Sequence, residues 1–170
     1  MTEKRSILCF GNSLTAGYYC FGLEYHPYAE KLKETIQAVR PNIEITTDVE
    51  GRPGDLVTSP GHGRASDDIF YALKKTWSAA LSSGAKVLAL TIPECAAKVI
   101  SLDTRRNELN RLILSHTEDR FFAFDLHAEI PYHSAPKEFQ EKIFDDGLHL
   151  TPEGYDLMGK VIGGYLANLL

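Results

Sequence analysis

Three short apolar runs and one stretch of alternating apolar residues recur along the chain, and between them apolar residues return at every third or fourth position. Ile7-Leu8-Cys9-Phe10 is stopped by Gly11, and a continuous run of this kind marks a strand buried on both faces, as in a parallel sheet. A first strand is predicted over residues 5 to 10. Ile43, Ile45 and Val49 alternate with polar residues and predict a second strand with one polar face. Val87-Leu88-Ala89-Leu90-Thr91-Ile92, ended by Pro93, predicts a third, and Phe121 to Leu126 a fourth.

The intervening stretches read as helices. Pro27 suits a first turn, and Tyr28, Leu32, Ile36 and Val39 keep helical spacing up to Pro41. Ser66 is read as an N-cap with Asp67 and Asp68 in the first turn, and Ile69, Leu73, Trp77, Ala80 and Leu81 hold the period until Gly84. Leu109, Leu112 and Ile113 give a face to a helix over 102–115, residues 136–142 predict a short helix, and Thr151-Pro152 caps a last one. In that last helix Tyr155, Met158, Ile162, Tyr165 and Leu169 form the apolar stripe. Strands alternating with helices predict an α/β sandwich on a mainly parallel sheet, with ligands bound outside the carboxyl ends of the strands. The segment from Gly51 to Arg64, rich in Gly and Pro, is read as a loop.

Length and charge narrow the class. At 170 residues the expectation is a single domain over 1–170, large enough to bury a core without disulfides or metals. The formal net charge of −5, with no basic block, argues against a nucleic acid partner. No apolar run approaches the roughly 20 residues of a membrane helix, and the N-terminal residues carry no signal-peptide pattern. Three scattered cysteines, Cys9, Cys20 and Cys95, fit reduced thiols, and a cytoplasmic location is expected.

Two segments carry chemistry. In Phe10-Gly11-Asn12-Ser13-Leu14-Thr15 a serine stands in a tight turn just past a strand, which exposes its hydroxyl at the ligand-binding edge and sets its own N–H where it can bind an oxyanion. The alternative is an ordinary βα turn, which the same residues favour. In Asp146-Gly147-Leu148-His149, just before the last helix, an aspartate can turn back to the imidazole Nδ1 and leave Nε2 free to take a hydroxyl proton. Read alone, this is equally a solvated loop at a helix start. Together the two segments supply a nucleophile, a base and an orienting acid.

These segments resemble the SGNH, or GDSL, hydrolases, a family of serine esterases, thioesterases and lipases. Gly11-Asn12-Ser13-Leu14 is similar to the family's first block, with Asn12 where Asp is usual, and Asp146-Gly147-Leu148-His149 matches its Asp-x-x-His block. Thr151-Pro152-Glu153-Gly154-Tyr155 is typical of the stretch after that block, and Glu50-Gly51-Arg52-Pro53-Gly54-Asp55 resembles the second block. The resemblance implies a flavodoxin-like three-layer sandwich and a carboxylic ester hydrolase acting on a small ester without metal or organic cofactor. It further implies catalytic roles for Ser13, His149 and Asp146, with oxyanion binding by the Ser13 and Gly54 amides.

The family's third block, Gly-x-Asn-Asp, has no counterpart, because no asparagine stands between Asn42 and Asn107. The buried strand that precedes that block is also absent from the reading, since Gly61-His62-Gly63-Arg64 runs into the helix at Ser66, and the sheet is expected to be short by one strand. Losing one oxyanion donor costs on the order of 10²–10³ in kcat. That loss supports a second reading: a catalytically inactive, shortened member that binds a ligand or partner. The vacated sheet edge would also suit a homodimer. Asn107 and Asn110 match no block.

Other candidates have plainer readings. Cys95 is read as a loop thiol, Cys9 as core, and Asp125 and His127 as strand-end hydrogen-bonding groups. His26, His62, His116 and His133 are too scattered for zinc. Tyr18-Tyr19-Cys20-Phe21 is either a small lid or acyl pocket, or loop packing.

Overall fold

The computed structural model describes residues 3–54 and 65–170. It is an α/β structure of β1 Glu3–Gly11, α1 Ser13–Ala16, β2 Tyr18–Tyr19, β3 Glu24–Tyr25, α2 Ala29–Val39, β4 Ile43–Gly51, α3 Ser66–Ser82, β5 Val87–Leu90, α4 Ile100–Ser115, β6 Phe121–Phe124, α5 Leu126–Glu129, α6 Lys137–Ile143 and α7 Pro152–Leu166. The four predicted strands are β1, β4, β5 and β6, and they pair in parallel as β1 with β4 and β5 with β6. The chain divides into two compact units, one of residues 1–55 and 132–170, the other of 56–131.

In the first unit β1 and β4 run in register from Glu3 opposite Ile43 to Gly11 opposite Gly51. Paired residues of a parallel ladder share a face, so Cys9, Ile43 and Ile45 point together, and these are the buried ones. Tyr28, Leu32 and Ile36 of the α2 segment are buried, as are Tyr155, Met158 and Ile162 on α7. The opposite face of β1 departs from expectation: Leu8 and Phe10 are exposed and stand opposite Asp48 and Glu50. The strand is therefore buried on one face only within its unit, and an unbroken apolar run does not distinguish the two cases. Val39 and Val49, also expected in apolar stripes, are exposed.

The second unit buries Trp77 of α3, Ala89 of β5, Leu109 and Ile113 of α4 and Phe121 of β6 in one cluster, with Ile69, Phe70 and Leu73 against it. Two helices thus cover one face of a two-stranded parallel ladder. Ser66 does not cap α3, as the sequence suggested; it is the first helical residue, Ala65 is the cap, and the buried Ser66 hydroxyl donates to the Arg105 carbonyl of α4. The hydroxyl is thus spent on a contact between the two helices rather than on the end of its own. Leu126, expected to end β6, is the first residue of α5, because the Asp125 side chain accepts the Ala128 amide and caps a helical turn. The strand-end reading of Asp125 and His127 agrees with the hydrogen bonds: Thr91 Oγ1 donates to Asp125 and accepts the His127 amide, and His127 Nδ1 lies 3.1 Å from the Ile92 carbonyl.

The loop read over Gly51 to Arg64 is described only as far as Gly54, so the expectation that no strand precedes Ser66 beside Gly61-His62-Gly63-Arg64 falls outside the described residues, as does Asp55. No described helix is long and apolar enough to cross a membrane.

Candidate active site

The Ser13 turn is built from its own sequence. Asn12, extended at the end of β1, accepts the Leu14 amide on its side chain and the Thr15 and Ala16 amides on its carbonyl, which starts the single turn of α1. Gly17, at φ +75°, ends that turn, and a Cβ there would lie 2.2 Å from the His26 carbonyl carbon, so only glycine fits. Ser13 is thus the first residue of a helical turn, where backbone N–H groups face the helix mouth. Below it, the buried Tyr28 hydroxyl bonds to the Cys9 thiol and to Thr15. Burial foremost pushes the Tyr28 phenol well above its ordinary range, and the Cys9 thiol is likewise raised by burial.

The Asp146–His149 segment folds on itself. A bridge between Phe144 and Leu150 closes it, with the Asp145 amide donating to the His149 carbonyl at 2.9 Å. Gly147 takes φ +81°, which lets Asp146 Oδ1 accept the Leu148 and His149 amides at 2.9 and 2.7 Å. Asp146 Oδ2 lies 2.8 Å from His149 Nδ1, and His149 Nε2 lies 3.0 Å from Ser13 Oγ. Burial alone would raise the Asp146 carboxyl, but hydrogen bonds from the His149 ring and from the His149 and Leu148 amides outweigh it and hold it below its usual range. The His149 side chain is 14% exposed, enclosed enough to keep one orientation and open enough to meet a ligand.

Gly54 is placed less closely. Gly51 pairs with Gly11, and the Arg52 amide donates to the Gly11 carbonyl at 3.0 Å, so residues 52–54 continue from the same end of the ladder as Ser13. At Gly54 φ is +82° with open space around the Cβ position, so the backbone conformation rather than crowding calls for glycine.

Two side chains at this site have no part assigned by sequence alone. The Tyr18 ring lies 4.4 Å from the His149 ring, centroid to centroid, and Asp145 Oδ2 accepts the Cys20 amide at 2.8 Å. Tyr18 stands in the aromatic cluster that sequence leaves between lid and packing. The acidic pair Asp145-Asp146 is the signal for the second contact, since only one of the two carboxylates can serve His149. Asn110, by contrast, is buried and clamps the Ile92 backbone, accepting its N–H at 2.8 Å and donating to its C=O at 2.9 Å. Cys95 is buried beside the Arg106 guanidinium, 3.8 Å away.

Solved structures align over almost the whole chain. They include a lipase/acylhydrolase from Enterococcus faecalis, 18% identical, with a TM-score of 0.74 over 98% of this chain and 97% of that one. The native aryl esterase of M. smegmatis, also 18% identical, aligns with a TM-score of 0.68 over 98% of this chain and all of its own. The chain has the fold of the GDSL esterases and lipases. A lipolytic G-D-S-L family member from Veillonella parvula, 20% identical, aligns at 0.65 over 97% of each chain. No family model matches the sequence, and no curated protein does. On this GDSL fold the Ser13 turn comes after the first strand and the Asp146–His149 segment precedes the last helix.

Proposed function

We propose that the chain is a carboxylic ester hydrolase that works through an acyl-enzyme on Ser13. The reading rests on one observation, the His149 imidazole between Ser13 Oγ at 3.0 Å and Asp146 Oδ2 at 2.8 Å. A ring so held presents Nε2 as base to the hydroxyl while Nδ1–H stays on the carboxylate. Ser13 Oγ attacks the ester carbonyl as its proton passes to Nε2, and the protonated ring returns that proton to the departing alcohol. Water, deprotonated by the same nitrogen, then releases the acid and restores Ser13. Asp146, kept ionised, stabilises the imidazolium formed in each step. The Ser13 and Gly54 amides are the proposed oxyanion donors, and residues 1–170 act as one hydrolase domain in the cytoplasm on a small ester.

Labelling with a fluorophosphonate tests the nucleophile. Attack by Ser13 Oγ on phosphorus expels fluoride, so the expected result is a single added phosphonyl mass that Ser13→Ala abolishes. Folded protein that stays unlabelled overturns the reading.

The absent Gly-x-Asn-Asp block favours a second reading, a binding protein that does not turn its ligand over. Turnover of a short-chain nitrophenyl ester that vanishes in both Ser13→Ala and His149→Ala sinks it.

A further inference from the structure

The chain between Gly17 and His26 carries unusual backbone. Cys20 and Phe21 both take left-handed conformations, at φ +51° and +56°, followed by Gly22 at +80°. For residues with a Cβ the left-handed region is sterically costly, and two in succession require a compensating gain. Core burial does not supply it, because Phe21 is 83% and Leu23 81% exposed.

The gain lies on the inner side. The β2–β3 ladder pairs Tyr18 with Tyr25 and Tyr19 with Glu24, and the Tyr19 hydroxyl adds a hydrogen bond to Glu24 that pushes its phenol up to about 12. The hairpin so formed is fastened to the Asp145–Tyr155 segment at three points. The Cys20 amide donates to Asp145 Oδ2, the Tyr18 ring lies against the His149 ring, and the Tyr18 carbonyl accepts the Tyr155 hydroxyl at 2.7 Å. Tyr155 is wholly buried, so this last point is fixed in the core. The left-handed turn begins at the residue whose amide meets Asp145.

We propose that Asp145 is a positioning residue for His149: by accepting the Cys20 amide it holds the strained hairpin in place, so that the Tyr18 ring braces the imidazole toward Ser13. Asp146 fixes the ring from the Nδ1 side and within its own loop; Tyr18 fixes its face, from an element more than a hundred residues away in the chain. The proposal deepens the esterase reading and rests on it for the catalytic consequence, but the bracing itself does not depend on turnover.

The test uses Asp145→Ala, Asp145→Asn and Tyr18→Leu in the full chain, read by ester kinetics and by the His149 Cε1 proton resonance at one fixed pH. With the two rings 4.4 Å apart, the Tyr18 ring current should displace that resonance in the parent protein. Asp145→Ala and Tyr18→Leu should each move it toward the free-imidazole position and lower kcat about 10-fold or more with KM within about twofold, since small misplacements of a catalytic base are costly. Asp145→Asn keeps an acceptor for the Cys20 amide and should restore both readouts. An unmoved resonance in Asp145→Ala overturns the proposal, as does an asparagine variant as impaired as the alanine one. Should Asp145→Ala not fold, Tyr18→Leu decides, because it leaves the loop's own hydrogen bonds intact. A parent protein that resists fluorophosphonate yet shows the resonance shift, with its loss in the variants, sinks the esterase reading and leaves the bracing standing.

Discussion

Nε2 of His149 lies 3.0 Å from Oγ of Ser13, a hydrogen bond across 136 positions of sequence. In the proposed reaction the two groups pass one proton along that line, so neither would serve an ester carbonyl without the other. Removing either should therefore cost nearly as much as removing both. Ser13→Ala and His149→Ala are each expected to lower kcat on the order of 10³-fold or more, and the double variant should fall little further. Asp146→Asn, which offers Nδ1 the wrong hydrogen-bonding group on one rotamer, should lose on the order of 10³–10⁴-fold. Steady-state hydrolysis of a nitrophenyl ester measures all four proteins. Additive losses would show that Ser13 and His149 act separately.

Asp146 also ties stability to pH. Its carboxyl titrates below the usual range because the hydrogen bonds it accepts from His149 and Leu148 outweigh the penalty of burial. A folded value below the unfolded one means that the carboxylate contributes stability above about pH 4, and that this contribution drains away as pH falls through the folded value. Urea midpoints of the parent and Asp146→Asn should therefore differ near neutrality and converge in acid. A gap that stays constant down to about pH 2.5 contradicts this account.

Local chemistry makes the Ser13 and His149 segments legible in the sequence. Gly11-Asn12 ends a strand and caps a turn by its own side chain, and an aspartate three residues before a histidine can close an Asx turn through Gly147. Such signals reach only a few residues. The contacts of Tyr18 with His149 and of Cys20 with Asp145 join distant segments, and no periodicity records them. Ser66 departs from its expected role for a related reason: its preference for a helix end is real, but the Arg105 carbonyl of α4 is a partner that only packing supplies. Leu8 and Phe10 read as core because apolar character is visible in sequence while the number of covered faces is not.

Gly159 of α7 sets how closely that helix approaches α2. A Cβ built there falls 2.4 Å from the Tyr28 carbonyl oxygen and 2.9 Å from the Leu32 nitrogen, both backbone atoms. Alanine must push the helices apart, at a cost of about 1–3 kcal/mol that exceeds its better helix propensity. Gly164, on the same helix, meets nothing within 4 Å, so alanine there should stabilise by up to about 1 kcal/mol. Opposite shifts of the urea midpoint are the expected pair of results. A stabilised Gly159→Ala would mean that α7 has room to move.

Asn110 resembles an oxyanion asparagine only in type, for both ends of its amide are engaged. Its Oδ1 accepts the Ile92 amide at 2.8 Å and its Nδ2 donates to the Ile92 carbonyl at 2.9 Å, holding the chain just beyond β5 against α4. Alanine leaves two partly buried backbone groups without these partners, and a loss of about 2–4 kcal/mol is expected from their desolvation. The Ile92 amide should then exchange with solvent much faster, while fluorophosphonate labelling of Ser13 in the folded protein stays within a fewfold of the parent. Loss of labelling in a folded Asn110→Ala protein would instead assign Asn110 to the reaction; an Ile92 amide that exchanges no faster would remove its role as a clamp.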